Sequence, residues 1–235
     1  MRTVLITGSN RGIGLEFARQ YAARGWRVIA TCRNPDAADA RNAMAAAHDT
    51  LLVDRLDVVN HAMIDSLAAK YSGTAIDVLL NNAGINQGSE GQMFGTIDYG
   101  SFDPHMQTNA VGPLKMAEAF AEHVAASAER KIMSLSSGMG SIEMAHIFRG
   151  VLTVYRMSKA SLNMGMRVAA GGLKERGIVV GLLNPGLVDT DQSAGARGPK
   201  ISPTESVSGM LDVIDGFTLE TTGSFMSYDG TVHPW

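Results

Sequence analysis

A tyrosine and a lysine stand four positions apart in the stretch Tyr155-Arg156-Met157-Ser158-Lys159. On a helix, residues with this spacing share one face, with Cβ atoms about 5–6 Å apart, so the ammonium can approach the phenol. A nearby positive charge lowers the pKa of a tyrosine from its usual value of about 10. Such a phenol can exchange a proton with a carbonyl oxygen. The same spacing also occurs on solvated helix faces without function, so the chemistry depends on the elements around the pair.

A glycine-rich loop follows the first predicted strand, residues 3–7. In Thr7-Gly8-Ser9-Asn10-Arg11-Gly12-Ile13-Gly14, the glycines allow a tight turn, close approach of the backbone to a pyrophosphate and close packing of the next helix, predicted over 13–24. The N-terminus of that helix offers free N–H groups to a phosphate. The segment predicts a dinucleotide-binding loop, although glycines also make ordinary turns.

The end of the second predicted strand, residues 27–32, indicates which dinucleotide binds. In such folds an acidic residue here holds the adenosine ribose of NAD, whereas an arginine accommodates the phosphate of NADP. This strand ends in Thr31-Cys32-Arg33 without a carboxylate, and Arg11 adds a second cation. NADP(H) is therefore favoured. The alternative is that both arginines are solvated and the cofactor is NAD(H).

Two polar motifs follow the third and fourth predicted strands, residues 50–53 and 76–80. Asp57 follows the third strand and either accepts a hydrogen bond from an adenine amino group or caps a helix over 60–71. The fourth strand ends in Asn81-Asn82-Ala83-Gly84, and asparagine side chains at a strand end can brace a neighbouring loop. This motif is interpreted as support for the cofactor site.

Strands and helices alternate along the whole chain. Further strands are predicted at 131–135, 178–183 and 224–227, and further helices at 37–47, from 152 or 153 to 176, and 203–215. This alternation predicts one α/β domain over residues 1–235, with a doubly wound, parallel, seven-stranded sheet and helices on both faces. The segments 86–100, 138–153 and 187–201 are predicted to be loops around the substrate.

A proline lies well inside the helix predicted over 101–128. Pro113 has no N–H, so the carbonyl of Asn109 loses its regular helical partner. We expect a kink at Asn109, whose carbonyl binds water or the Lys159 ammonium and forms a proton relay. The alternative is that the helix is simply broken there.

Composition excludes several classes of function. The chain has 235 residues, a net charge of −3 and one cysteine, Cys32. This balance does not indicate nucleic acid or an anionic membrane surface, no intrachain disulfide can form, and no segment approaches 18 uninterrupted apolar residues. We expect a cytoplasmic protein without a metal site.

The motifs together resemble the short-chain dehydrogenase/reductase superfamily, which has a Rossmann fold. The resemblance rests on the glycine loop, Asp57, Asn81 to Gly84, Asn109, Ser137, Tyr155, Lys159 and Pro185-Gly186, which appear in the family's order across essentially the whole chain. Tyr155 follows Ser137 by 18 positions. This longer interval, the Tyr-Arg-Met-Ser-Lys form of the motif and the ending from Tyr228 to Trp235 resemble the carbonyl-reductase-like subgroup that includes the C-factor and sniffer proteins.

The resemblance implies a catalytic tetrad of Asn109, Ser137, Tyr155 and Lys159. Tyr155 is then the general acid or base, Lys159 lowers its pKa and holds the nicotinamide ribose, and Ser137 binds the substrate oxygen. Ser136 remains an alternative to Ser137, and Asn109 anchors the water relay. The implied cofactor-binding residues are Gly8, Ser9, Asn10, Arg11, Gly12, Ile13, Gly14, Arg33, Asp57, Val58, Asn82, Ala83, Gly84, Tyr155, Lys159, Pro185, Gly186, Val188 and Thr190.

The resulting expectation is an NADP(H)-dependent oxidoreductase that interconverts a carbonyl and an alcohol on a small, fairly apolar substrate. The long helices beginning near Ser101 and Leu152 are the family's usual dimer faces, so a homodimer is expected. The alternative is a cofactor-binding signalling or regulatory protein of the C-factor type with little or no turnover. The intact tetrad argues against this alternative.

Overall fold

The computed structural model describes residues 1–37, 49–87, 89–148 and 150–235. The helix predicted over 37–47 lies outside these residues, apart from its first position. Within the described residues, no helix is both long enough and apolar enough to cross a membrane.

Seven strands form one parallel sheet, as predicted. They are β1 (Thr3–Thr7), β2 (Arg27–Cys32), β3 (Leu51–Arg55), β4 (Val78–Asn81), β5 (Lys131–Leu135), β6 (Val179–Asn184) and β7 (Phe225–Ser227). Their order in the sheet is β3-β2-β1-β4-β5-β6-β7. The chain order reverses between β1 and β4, and in open α/β sheets ligands bind at the carboxyl ends of the strands at such a point.

Helices cover both faces of the sheet. They are α1 (Gly12–Ala23), α2 (His61–Lys70), α3 (Phe102–Met106), α4 (Gly112–Ala125), α5 (Thr153–Lys174) and α6 (Pro203–Gly216). One core contains Phe17 of α1 and Met210 of α6, and the other contains Ile64, Phe120 and Met166 of α2, α4 and α5. Apolar residues at helical spacing therefore build each layer against the sheet.

Two helix starts refine the sequence predictions. Leu152 has a left-handed backbone with φ of 55°, so α5 begins at Thr153. Asn60 caps α2, since its side chain accepts a hydrogen bond from the N–H of Met63 at 3.1 Å. The interpretation of Asp57 as the cap of this helix was therefore wrong.

The region around Pro113 is continuous but not uniformly α-helical. A five-residue π-helix, Gln107–Val111, joins α3 to α4, and the N–H of Gly112 donates to the carbonyl of Gln107 five positions earlier. Single π-turns inside α-helices accommodate local mismatches in the hydrogen-bond ladder and are frequent at functional sites. The helix is therefore not broken by Pro113, and the expected irregularity at Asn109 takes the form of this π-turn.

Candidate active site

The glycine loop lies between β1 and α1 and has no room for side chains at two positions. Gly8 has φ of +68°, and a Cβ added there would lie 2.8 Å from the Cα of Ala83. A Cβ on Gly14 would lie 2.3 Å from the carbonyl oxygen of Gly8. The tight turn and the close packing predicted for these glycines are both present.

The polar motif after β4 braces this loop. The side-chain amide of Asn82 donates to the carbonyls of Thr7 and Gly8 at 2.8 and 3.0 Å. In return, the Thr7 hydroxyl accepts from the N–H groups of Asn82 and Ala83, each at 3.0 Å. The motif therefore supports the glycine loop as the sequence predicted.

The N-terminus of α1 fits a phosphate group. Arg11 precedes the helix without a side-chain cap, and the first turn contains no acidic residue. The first N–H groups of a helix have no intrahelical partner and carry a partial positive charge. Gly12, with φ of +54°, adds no side chain, and the Thr190 side chain lies 3.5 Å from where its Cβ would be. Together these features form a cradle of backbone donors for a pyrophosphate.

Four of the predicted cofactor contacts differ in their burial and in their hydrogen-bond or ion-pair partners. Ser9 has no exposed surface, and its hydroxyl donates to the carbonyl of Thr31 at 3.1 Å, so its expected contact with a cofactor is not possible in this structure. The Arg11 guanidinium pairs with Asp191 at 3.0 Å on the surface. Arg33 and Asn10 are exposed at the carboxyl edge of the sheet.

The residues after β3 also lie at the carboxyl edge of the sheet. A carboxylate oxygen of Asp57 accepts from the N–H of Val59 at 3.2 Å, and Asp57 is half-buried. Val58 is buried, and its carbonyl lies 2.9 Å from where a Cβ on Gly112 would be. The loop after β3 is therefore packed closely against the start of α4.

Tyr155 and Lys159 are both buried on the inner face of α5. Their relative exposures are 7% and 4%, and Lys159 Nζ lies 5.9 Å from the centre of the Tyr155 ring. The ammonium donates to the carbonyl of Leu135 at the end of β5, at 2.7 Å. A Cβ on Gly84 would lie 3.5 Å from Lys159 Nζ, so the motif after β4 adjoins the lysine.

The pKa of Tyr155 does not shift in the expected direction. Burial raises the pKa of the phenol above its usual value, and a hydrogen bond from Ser137 offsets only part of that effect. Burial also lowers the pKa of Lys159 to about 8. Desolvation disfavours the charged form of each group. The pKa of Tyr155 therefore lies above its usual value and not below it, as the sequence had led us to expect.

The two serines after β5 have different partners. The hydroxyl of Ser136 is buried and donates to the side-chain oxygen of Asn163 at 2.5 Å. The hydroxyl of Ser137 is the one that interacts with the Tyr155 phenol, and it also accepts from the N–H of Met139 at 3.1 Å. Ser137 is thus the serine that shares a site with the tyrosine.

The Asn109 side chain joins three elements. Its oxygen accepts from the N–H of Ile85 at 2.8 Å, and its amide donates to the Ile85 carbonyl and the Ser158 hydroxyl, each at 2.9 Å. The Asn109 carbonyl cannot make a regular α-helical bond, because the partner four positions later is Pro113. The Lys159 ammonium, the second of the two expected partners of this carbonyl, instead donates to the carbonyl of Leu135.

The segment after β6 packs against the C-terminal part of the chain. Gly186 has φ of +77°, and a Cβ there would meet the Tyr228 ring at 2.9 Å. Val188 is buried and pairs with Ile201 in an isolated bridge that closes the loop 187–201. Pro185 and Thr190 are half-buried. The predicted residues of this segment therefore line the carboxyl edge of the sheet.

Three residues of this site were missed in the sequence. Gln92 is fully buried, and its oxygen accepts from the N–H of Tyr155 at 2.7 Å. Asn163 holds Ser136 and the carbonyl of Gly140, and Asn184 accepts from the N–H groups of Gly138 and Gly186. Asn163 could have been found as a polar residue four positions after Lys159, on the core face of the helix.

Comparison with known proteins agrees with this geometry. The family model described as short chain dehydrogenase matches residues 2–199. The chain belongs to this family. An NADPH-bound carbonyl reductase from chicken fatty liver superposes with a TM-score of 0.93 at 32% identity, covering 100% of this chain and 99% of that one.

Two further relatives are of the C-factor and sniffer kind. The carbonyl reductase Sniffer of D. melanogaster superposes with a TM-score of 0.89 at 28% identity, and each chain is covered completely. The C-signal protein of Myxococcus xanthus is 39% identical over 160 residues, which are 68% of this chain and 93% of that protein. The resemblance to this subgroup is confirmed, and the protein is a short-chain dehydrogenase/reductase enzyme.

Proposed function

We propose that this short-chain dehydrogenase is an NADP(H)-dependent carbonyl reductase in which Tyr155 is the general acid. The observation that carries the proposal is a buried phenol beside a serine hydroxyl, within one helical turn of a buried lysine and next to a phosphate cradle. A carbonyl-reductase neighbour that binds NADPH covers the whole chain. The nicotinamide, when bound, supplies the hydride.

The protonation of Tyr155 suits the direction of reduction. Because burial raises its pKa, the phenol keeps its proton at neutral pH and can donate it to a carbonyl oxygen. Ser137 hydrogen-bonds that oxygen and stabilises the negative charge that develops on it. Lys159, whose pKa is about 8, can return a proton to the phenolate. Asn109 supports this pair through Ser158 and, in our proposal, through a water bound to its carbonyl.

The cofactor contacts follow from the cradle. The glycine loop and the first N–H groups of α1 would hold the pyrophosphate, and Lys159 the nicotinamide ribose. Thr190 would hold the carboxamide, Asp57 the adenine amino group, and Arg33 the additional phosphate of NADP. The lack of a carboxylate at the end of β2 supports NADP(H) over NAD(H).

Exposed apolar side chains on the predicted substrate loops favour a fairly apolar substrate. Phe94 is 81% exposed on the segment 86–100, and Ile142 is 73% exposed on the segment 138–153. A hydrogen bond of 3.0 Å from the N–H of Phe94 to the carbonyl of Gly150 joins the two segments. A small, apolar ketone, aldehyde or quinone would meet these side chains at the mouth. The homodimer and the cytoplasmic location remain predictions.

The test is to incubate the protein with NADPH or NADH and a panel of ketones, aldehydes and quinones. Turnover is measured as the rate of cofactor oxidation. Tyr155→Phe should lower kcat by at least about 100-fold, because it removes the proton donor and keeps the ring. Cofactor affinity should stay within a few-fold of wild type. Equal turnover by the variant contradicts the role of Tyr155. Tight NADPH binding without turnover of any carbonyl contradicts the proposed function and favours the regulatory alternative.

A further inference from the structure

The helix that carries Tyr155 lacks a local cap. Tyr155 is the third residue of α5, where backbone N–H groups have no intrahelical partner. The preceding residue, Leu152, has a left-handed backbone and offers no capping side chain. The N–H of Tyr155 instead donates to the side-chain oxygen of Gln92 at 2.7 Å, across 63 positions of sequence. A remote side chain therefore caps the first turn of this helix.

The other end of the Gln92 amide is also occupied. Its nitrogen donates to the carbonyl of Gln87 at 2.7 Å and approaches the side-chain oxygen of Asn86 at 3.4 Å. Gln92 has no exposed surface, and buried polar atoms contribute most when every one of them is paired. Both the acceptor and the donor of the amide are used, so its orientation is fixed. An apolar side chain at this position would leave the Tyr155 N–H and the Gln87 carbonyl unpaired.

The segment that Gln92 holds is itself anchored. The N–H of Gln87 donates to Nε2 of the buried His105 at 3.3 Å, and His105 Nδ1 lies 2.7 Å from the carbonyl of Ser101. Ile85, two residues earlier, is bonded to the Asn109 side chain. One buried amide thus links the start of α5 to the segment that leaves the cofactor-binding motif after β4.

We propose that Gln92 is a positioning residue that holds the Tyr155 hydroxyl in place against Ser137 by capping α5 and tying it to the segment 85–87. The inference rests on the proposed function of Tyr155 as the proton donor. The hydrogen bonds of the Gln92 side chain within the described residues go to Asn86, Gln87 and the backbone of Tyr155, and none goes to the phenol or the glycine loop. Its loss should therefore act on the proton-transfer step and not on cofactor binding.

The first test compares Gln92→Met with wild type. Methionine has a similar length but cannot pair with either backbone group. We expect kcat for the best carbonyl to fall by about 10-fold or more, with the Kd for NADPH within two-fold of wild type. Amide hydrogen exchange at Tyr155 should quicken by about 10-fold, because its N–H loses its acceptor. Asn60→Ala is the control, since it removes the cap of α2 and should leave kcat within two-fold.

A second variant separates positioning from folding. In Gln92→Glu a protonated carboxyl can still accept from Tyr155 and donate to Gln87, whereas an ionised one cannot donate. The variant should approach wild-type kcat at low pH and lose activity as the pH rises, which adds an ionisation absent from the wild-type profile. If Gln92→Met does not fold, the pH dependence of kcat in Gln92→Glu decides whether Gln92 positions Tyr155. A profile that matches wild type, or an unchanged kcat in Gln92→Met, overturns the proposal.

The exchange measurement does not depend on turnover. If wild type reduces no carbonyl, the proposed function fails, and the proposal that Gln92 positions a proton donor fails with it. Quickened exchange at Tyr155 in Gln92→Met would then still establish the cap. Unchanged exchange together with a normal kcat would refute the cap while leaving the carbonyl reductase function intact.

Discussion

The proposed cofactor cradle, the glycine loop with its brace, and the proposed reaction centre around Tyr155 adjoin at the carboxyl edge of the sheet but are held together differently. In the cradle, glycines bring backbone atoms into contact, and a Cβ on Gly14 would lie 2.3 Å from the Gly8 carbonyl. In the reaction centre, side chains of distant elements meet through hydrogen bonds, such as Lys159 to the Leu135 carbonyl at 2.7 Å. The cradle should therefore be sensitive to added volume, and the reaction centre to lost hydrogen bonds and to pH.

The largest effect is expected from added volume in the cradle. Gly14→Ala places a Cβ within 2.3 Å of the Gly8 carbonyl and 2.4 Å of the Asn82 amide. Because backbone must move to relieve this contact, we expect a loss of at least about 2 kcal/mol in the free energy of unfolding and no measurable NADPH binding. Urea denaturation and cofactor titration measure both.

A glycine with free space provides the control for that variant. Gly172 lies in α5, and apart from its chain neighbours and the backbone of its own helix no described residue comes within 4 Å of where its Cβ would be. Gly172→Ala should be neutral or more stable by up to about 1 kcal/mol, since alanine favours helix. If Gly14→Ala and Gly172→Ala changed stability and NADPH binding equally, close packing at Gly14 would not explain the sensitivity of the cradle.

The next effect concerns the buried charge of the reaction centre. Burial lowers the pKa of Lys159 to about 8, below its unfolded value of 10.5. Between these values the unfolded chain binds more protons than the folded one, so folding stability rises with pH. Measured against Lys159→Met, the stability of wild type should rise by roughly 2–3 kcal/mol from pH 8 to pH 10.

Urea denaturation at several pH values gives this difference directly. Tyr155 does not interfere below pH 10, because burial raises its pKa above the usual value. Lys174→Met, at an exposed position of the same helix, controls for the loss of a lysine. A difference between wild type and Lys159→Met that does not change from pH 8 to pH 10 would mean that the buried ammonium is not desolvated.

Two hydrogen-bonded asparagines, the half-buried Asn82 and the buried Asn163, allow the regions to be compared with the same substitution. Asn82→Ala frees the carbonyls of Thr7 and Gly8 in the cradle, and Asn163→Ala frees Ser136 and the Gly140 carbonyl beside the reaction centre. Each substitution should lower the free energy of unfolding by about 1–2 kcal/mol. We expect Asn82→Ala to raise the NADPH Kd by about 10-fold and Asn163→Ala to lower kcat by a similar factor. If both variants change only the NADPH Kd, or both change only kcat, the two regions do not act on different steps.

The sequence predicted the glycine loop and its brace more fully than the contacts around Tyr155. Local backbone conformation determines strand β2 and the loop from Thr7 to Gly14, so both are visible in the sequence. The brace at Asn82 is visible because it directly follows a strand. The Asn82 brace also joins residues that are far apart in sequence, but both of its ends follow strands that are neighbours in the sheet, β1 and β4. Gln92 was missed because it lies in the segment 86–100, where no strand end or periodic pattern indicates that its side chain meets the N–H of Tyr155. The direction of the Tyr155 pKa was also missed, since burial depends on how distant elements pack.

The smallest expected effect tests the charge that sets cofactor preference. Arg33 is exposed, so Arg33→Ala should raise the Kd for NADPH by about 10-fold and leave that for NADH within two-fold. Arg11→Ala should act less, because its guanidinium already pairs with Asp191 at 3.0 Å. Exposed charges are screened by salt, so the NADPH preference should narrow as ionic strength rises. Equal losses for both cofactors in Arg33→Ala would show that this arginine does not bind the phosphate of NADP.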